Sequence, residues 1–158
     1  MPISGTSTDY STRTKDLHIF QGVNPSKLAS IAPSIGRISN YCSGIQKLIQ
    51  RYAICLLTEL GSQDKYPDFG TSLISTLTST TSRINKADVF PIFNLANSAV
   101  IDIFKAYQQV TENLPEDEQL ATATLLDIVV VGNTISLSIQ IYPLSVDPVV
   151  FVLPIPST

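Results

Sequence analysis

The sequence predicts an α+β fold in which two main helices pack on a small, mostly antiparallel sheet. Three observations carry this. Apolar residues recur at helical spacing through 45–60 and again through 92–110. Between 120 and 142 the period switches to two, interrupted once by Gly132-Asn133, a two-residue hairpin signal. A sheet with one apolar face needs one layer of cover, so both helices are expected on the same side.

The first helix is expected to start at Ser43, where Ser43 and Gln46 fit a capping box. Ile45, Leu48, Ile49, Tyr52, Ala53, Leu56, Leu57 and Leu60 form its apolar side. Gln46, Lys47, Gln50 and Arg51 form an opposing polar side, which disappears from residue 52 onward. Gly61 stands where a left-handed cap residue belongs, and a loop follows with Pro67 and Gly70 as its fixed points. Leu73, Ile74 and Leu77 then allow one or two helical turns before a Ser/Thr-rich loop at 78–82.

The second long helix is expected to begin near Asp88, with Pro91 tolerated in its first turn. Ile92, Leu95, Ala96, Ala99, Val100, Ile103, Phe104, Tyr107 and Val110 make its stripe, and the helix should stop before Pro115. Pairing Val131 with Thr134 sets the hairpin register. Leu126, Ile128 and Val130 then face Ile139, Leu137 and Ile135. Leu125, Val129 and Val131 keep the first strand apolar on its other face, which suggests a central position for it. The run 149–153 reads as a short strand covered on both faces, with Pro154 and Pro156 ending its ladder.

Residues 1–40 read as an arm and connector. Positions 1–15 are rich in Ser and Thr and should be flexible alone; 17–20 suit a short strand; Asn24-Pro25-Ser26 and Ala32-Pro33-Ser34 punctuate the rest. Residues 41–158 are expected to form one α+β domain. Charged residues are only 15% of the 158, against roughly a quarter in ordinary soluble domains, and such a surface suits life inside an assembly. A net charge of −3 with scattered Lys and Arg points to neither a nucleic-acid nor an anionic-membrane partner. The sequence has no run of about 18 apolar residues, so no membrane insertion is expected. The start of the chain lacks the basic and apolar regions of a secretory signal, which leads us to expect assembly in a cytoplasm.

Cys42 and Cys55, separated by a helix rising about 1.5 Å per residue, should lie too far apart for a disulfide. With a single His and no ligand spacing, neither a metal nor another cofactor is expected. His18, alternating with Leu17 and Ile19, reads as a half-exposed strand residue. No nucleophile elbow or phosphate-binding glycine loop is present.

A helix ending in Leu56-Leu57-Thr58 and Gly61, then Pro67, Phe69-Gly70-Thr71 and Leu73, with Gln50 upstream, resembles the baseplate wedge family of contractile tails. That family includes the small lysozyme-like wedge protein of T-even phages and relatives in type VI secretion baseplates. The likeness extends over about 44–142, since the later helix and hairpin continue it. It implies a non-enzymatic structural subunit of the virion tail baseplate, assembled in the host cytoplasm. It also implies other wedge proteins and the tail sheath protein as partners, six or a multiple of six copies around the tail axis, and sheath initiation by strand addition. A type VI or related secretion baseplate component is the alternative, and a tail-associated peptidoglycan hydrolase a more distant one. For the latter, Glu59, Asp64 and Asp68 are the carboxylates near the central loop, and nothing in their spacing sets two of them across a sugar-binding cleft.

The candidate partner-binding residues are Pro67, Asp68, Phe69 and Gly70 in the loop, Glu118 in the acidic turn, and Val149, Val150, Phe151, Val152 and Leu153. Phe69 either anchors the loop in its own core or fills a pocket on a neighbour. Glu118 is carried over from a Glu-Pro-Arg motif of the family; the Arg is missing here, and a solvated acidic loop is the other reading of the turn.

Overall fold

The computed structural model describes residues 14–17, 19, 41–79 and 85–156. Most of the expected arm and connector, part of the expected 17–20 strand including His18, and the loop at 80–84 lie outside them. The described residues form β1 (Asp16–Leu17), β2 (Tyr41–Cys42), α1 (Ile45–Leu57), α2 (Leu73–Ser79), α3 (Lys86–Val110), β3 (Leu120–Val131), β4 (Thr134–Pro143) and β5 (Val149–Pro156). β1 and β2 make a two-stranded antiparallel ribbon, and β3, β4 and β5 make an antiparallel sheet in that order. The α+β expectation holds.

β4 is the middle strand and the most regular. Its Ile135, Leu137, Ile139 and Ile141 are buried, and its Ser, Thr and Gln residues alternate to the other face. The turn comes where Gly132-Asn133 placed it. Val131 pairs with Thr134, Val130 with Ile135 and Ile128 with Leu137. Of the two turn residues, Gly132 alone has positive φ, +58°, which suits a hairpin turn with Gly at its first central position.

Three details of the sheet correct the sequence reading. A bulge between Leu125 and Asp127 sets Leu125, not Leu126, opposite Ile139 and leaves Leu126 exposed. β3 is an outer strand, because β5 returns to the far side of β4. The ladder with β4 also does not stop at Leu153: Ser136 pairs with Pro154 and Thr134 with Pro156. Proline fits a regular ladder when its nitrogen faces away from the neighbouring strand. β5 is an outer strand and has such positions.

The helices also depart from expectation at their ends. α1 stops at Leu57, a turn before Gly61: Thr58 turns extended, with φ of −73° and ψ of 128°, and its carbonyl accepts from the Thr71 N–H outside the helix. α3 is capped by Asn85, whose side chain accepts from the Asp88 N–H; Asp88 lies inside the first turn and Pro91 in the second. The core-facing stripe of α3 is Val89, Phe93, Ala96, Asn97, Val100 and Phe104, so Leu95, Ala99, Tyr107 and Val110 are left exposed. α2 takes the turns expected around Leu73, Ile74 and Leu77, buries Leu73 and Leu77, and runs on through Thr78 and Ser79, which the sequence placed in the following loop. By length and a mean hydropathy of 1.3, α3 is also apolar enough to cross a bilayer, a test that core helices pass as well.

α1 and α3 meet the sheet through Tyr52. Its hydroxyl donates to Asn97 Oδ1 at 2.6 Å, and Asn97 Nδ2 donates to the Ala123 carbonyl of β3 at 2.9 Å. The Tyr52 ring lies 6.1 Å from Phe151 and 6.4 Å from Phe104. Cys42 and Cys55 are both buried and unpaired with each other.

The hairpin supplies a direct test. A Cβ at Gly132 would meet no atom within 4 Å, so substitution there is opposed by backbone strain alone. Gly132→Val should cost about 1–3 kcal/mol, lowering the melting temperature by several degrees in a thermal scan. An unchanged melting temperature would contradict the turn.

Candidate functional site

The loop at 59–71 is pinned to the end of α1 at several points. The Thr71 N–H donates to the Thr58 carbonyl at 2.8 Å, the Leu60 N–H to the Thr71 carbonyl at 3.1 Å, and the Thr71 hydroxyl to the Leu56 carbonyl at 2.7 Å. Glu59 and Thr71 thereby form a parallel bridge. Inside this frame the Gly61 N–H donates to the Pro67 carbonyl and the Phe69 N–H to the Tyr66 carbonyl. Gly70 has φ of +118°, and a Cβ there would stand 2.5 Å from the Thr58 carbonyl oxygen. Only glycine lets the two backbones approach that closely.

Of the four loop candidates, Pro67 and Asp68 are exposed, Phe69 is half-buried and Gly70 is buried. Phe69 packs on its own core and shares a small cavity with Arg51, Ile54, Ile103, Phe104 and Tyr107. The Arg51 guanidinium sits 4.1 Å over the Tyr107 ring at the same place. Glu59 is tied to Ser75, whose hydroxyl donates to its carboxylate at 2.7 Å.

Glu118 is not a solvated loop residue. It ends a short 3-10 turn, Glu116–Glu118, and is only 1% exposed. One carboxylate oxygen accepts from the Gly44 N–H and the other from Lys47 Nζ, both at 2.9 Å. Gly44 is the N-cap of α1, with φ of +64° and no side-chain cap of its own, so the Ser43–Gln46 capping box does not form. In a capping box the third helical residue returns a carboxylate to the N-cap N–H. Here that residue is Lys47, which cannot accept. Glu118 takes the role from 74 positions away and is paired with the same lysine.

Lys47 and Gln50, expected on a solvated face, are buried for a related reason. Lys47 Nζ also donates to the Thr14 carbonyl and hydroxyl. Gln50, 1% exposed, accepts from the Ile19 N–H through Oε1 and donates to the Leu17 carbonyl through Nε2, each at 2.7 Å. One side-chain amide thus pairs with the backbone of Leu17 and Ile19 as a neighbouring strand would. Sequence reading missed this clamp. The sequence carried no clear signal for it, because Gln50 shares a helix face with Gln46, Lys47 and Arg51 and reads as solvated.

The ends of the three-stranded sheet differ. The outer margin of β3 is bridged by α3: Asn97 reaches the Ala123 carbonyl, while Gln108 accepts from the Leu120 N–H and donates to the Leu120 carbonyl. Beyond β5 no further strand is paired among the described residues. Phe151, Leu153 and Ile155 point into the core, while Val150 is exposed and Val149 and Val152 are half-buried. Phe69, Phe104, Tyr52 and Phe151 connect the loop to β5 through the core.

The thiols are held protonated at neutral pH. Burial pushes Cys55 up to about 11, against smaller opposing effects of the Gly70 backbone and Arg51. Burial, then the Asp16 carboxylate, raises Cys42. Among the described residues no three His, Cys, Asp or Glu side chains converge as metal ligands.

No family model, curated protein or solved structure matches the chain. Two features stand out as surfaces for a partner: the pinned loop and the margin of β5, which no other described strand pairs.

The clamp makes its own prediction. Gln50→Leu removes both bonds to residues 17–19 while keeping an apolar body of similar size. The Ile19 amide should then exchange with solvent at least about tenfold faster, with amides of β4 unchanged. Unaltered exchange at Ile19 would contradict the clamp.

Proposed function

We propose that this protein is a structural subunit of a phage contractile-tail baseplate wedge that helps start sheath assembly by accepting an extended strand on β5. The observation that carries this reading is the asymmetry of the sheet. One margin is occupied by polar side chains of α3, and the other has no strand beyond it among the described residues. An open strand margin on a lightly charged protein invites pairing with another chain. In strand addition, backbone bonds supply affinity and alternate side chains supply register.

The prolines limit where such a strand would pair. With Pro154 and Pro156 turned away from β4, Val150 and Val152 share that outward parity in a regular ladder. Their N–H groups are the outward donors of β5, and the prolines offer none beyond them. An incoming strand is thereby confined to 149–153, the run assigned to partner binding from sequence. The partners in this reading are the tail sheath protein and other wedge proteins, in six or a multiple of six copies around the tail axis. The pinned loop, with Pro67 and Asp68 exposed, presents a second fixed surface toward a wedge neighbour. The same features suit a secretion-system baseplate component, and the partner recovered separates the two.

Deleting the C-terminal strand would remove Phe151, Leu153 and Ile155 from the core, so it cannot separate folding from assembly. Replacing Val150 and Val152 together by Pro is cleaner. It withdraws the two outward donors and leaves the β4 ladder in place. The variant should melt within a few degrees of the parent yet fail to support sheath polymerisation on otherwise complete baseplates, as seen in electron micrographs. A folded variant carrying normal sheaths would overturn the proposal.

A further inference from the structure

α3 is apolar around more of its circumference than the core uses. Beside the stripe buried from Val89 to Phe104 runs a second, in which the exposed Leu95 and Ala99 lie between Ile92 and Ile103, both half-buried against the core. Its spacing of three and four residues keeps these side chains in one line along the helix. They form one wall of an open groove of about 420 Å³, and Leu60 with the chain at 68–73 forms the other. Leu95 is 78% exposed and Leu60 52%, so two leucines face water across one depression. A single exposed leucine is ordinary; two walls of a shared groove ending in leucine are not.

The groove also has a sign. Among the described residues Asp68 and Asp102 are its only charged lining residues, and neither carboxylate forms a hydrogen bond or ion pair with another described residue. From Ile92 to Ile103 the apolar line runs about 16 Å, the length of about three helical turns.

We propose that this groove is the docking site of an amphipathic helix from a neighbouring subunit, with leucine-sized residues on α3 and Lys or Arg meeting Asp68 and Asp102. The expectation that such a neighbour exists rests on the proposed function; the groove itself is separate from β5. The apolar wall supplies burial along three turns. The two carboxylates select against an acidic helix, which would meet like charge at the rim. This also gives the pinned loop a purpose. Gly70 fixes the loop against α1, so Asp68 is held beside the apolar wall.

The experiment uses the intact chain and a fluorescein-labelled probe helix of about 18 residues (about five turns), with Leu on one face and Lys on the other. A twin carries Glu in place of Lys. Fluorescence anisotropy should show the Lys probe binding at least about tenfold more tightly than the Glu probe. Leu95→Glu should weaken the Lys probe by about tenfold or more without lowering the melting temperature. Asp68→Asn with Asp102→Asn should weaken it and flatten its salt dependence. Leu126→Glu, at an exposed leucine on the β3 bulge, should change nothing. Equal binding of the two probes, or indifference to Leu95→Glu, would overturn the proposal. So would light scattering that reveals a Leu95-dependent association of two copies of this chain in place of probe binding. Because the titration involves no sheath protein, its outcome is independent of the β5 proline test.

Discussion

The carboxylate of Glu118 lies almost wholly out of water, and its burial is tolerable because both oxygens are engaged. An unpaired buried carboxylate would cost several kcal/mol in desolvation, so the geometry around it is strongly constrained. One oxygen closes the start of α1, where the helix dipole also favours negative charge. The other holds Lys47, and Lys47 in turn holds Thr14. The turn before β3, the first turn of α1 and the described part of the arm therefore share a single charged centre. Gln50 extends the same arrangement by one helical turn to residues 17–19.

With α1 fixed at its start by Glu118 and at its end by Thr71, the sheet is approached from a defined direction. Tyr52 and Asn97 carry that orientation to α3 and β3 by two buried hydrogen bonds. α3 in turn covers the margin of β3. What the described residues leave uncovered follows from this order of packing: the margin of β5, and the side of α3 turned away from the sheet. Both proposed interaction surfaces are thus residues of the fold's own geometry. A protein with little surface charge and two such surfaces is suited to being held between neighbours.

The readable parts of the sequence were those in which the signal is local. The alternation of β4 and the Gly132-Asn133 turn predicted register and turn together, since period-two patterning and turn chemistry act within a few residues. The bulge at Leu126 was hidden because one inserted residue in an apolar run leaves no alternation to break. The rotation of α3 was hidden because its apolar residues cover two adjacent stripes, and the pattern alone does not choose between them. Pro154 and Pro156 read as a ladder end because the outward parity of β5 depends on which strand it joins. Glu118 was singled out, but its role was not visible. A carboxylate that caps a helix 74 positions upstream leaves no short-range trace. The loop is held by its own backbone hydrogen bonds; which of its residues face solvent required the structure, and Phe69 packs on the core of its own chain.

The central claim is that Glu118 and Lys47 act as one buried unit. A double-mutant cycle with Glu118→Gln and Lys47→Met, read by urea unfolding of both single variants and the double, measures it most directly. Gln at 118 retains an acceptor for the Gly44 N–H, so the cycle isolates the charge pair. A buried pair should show a coupling on the order of 1–3 kcal/mol, with the double variant less destabilised than the sum of the singles. Additive effects, within about 0.3 kcal/mol of the sum, would contradict it.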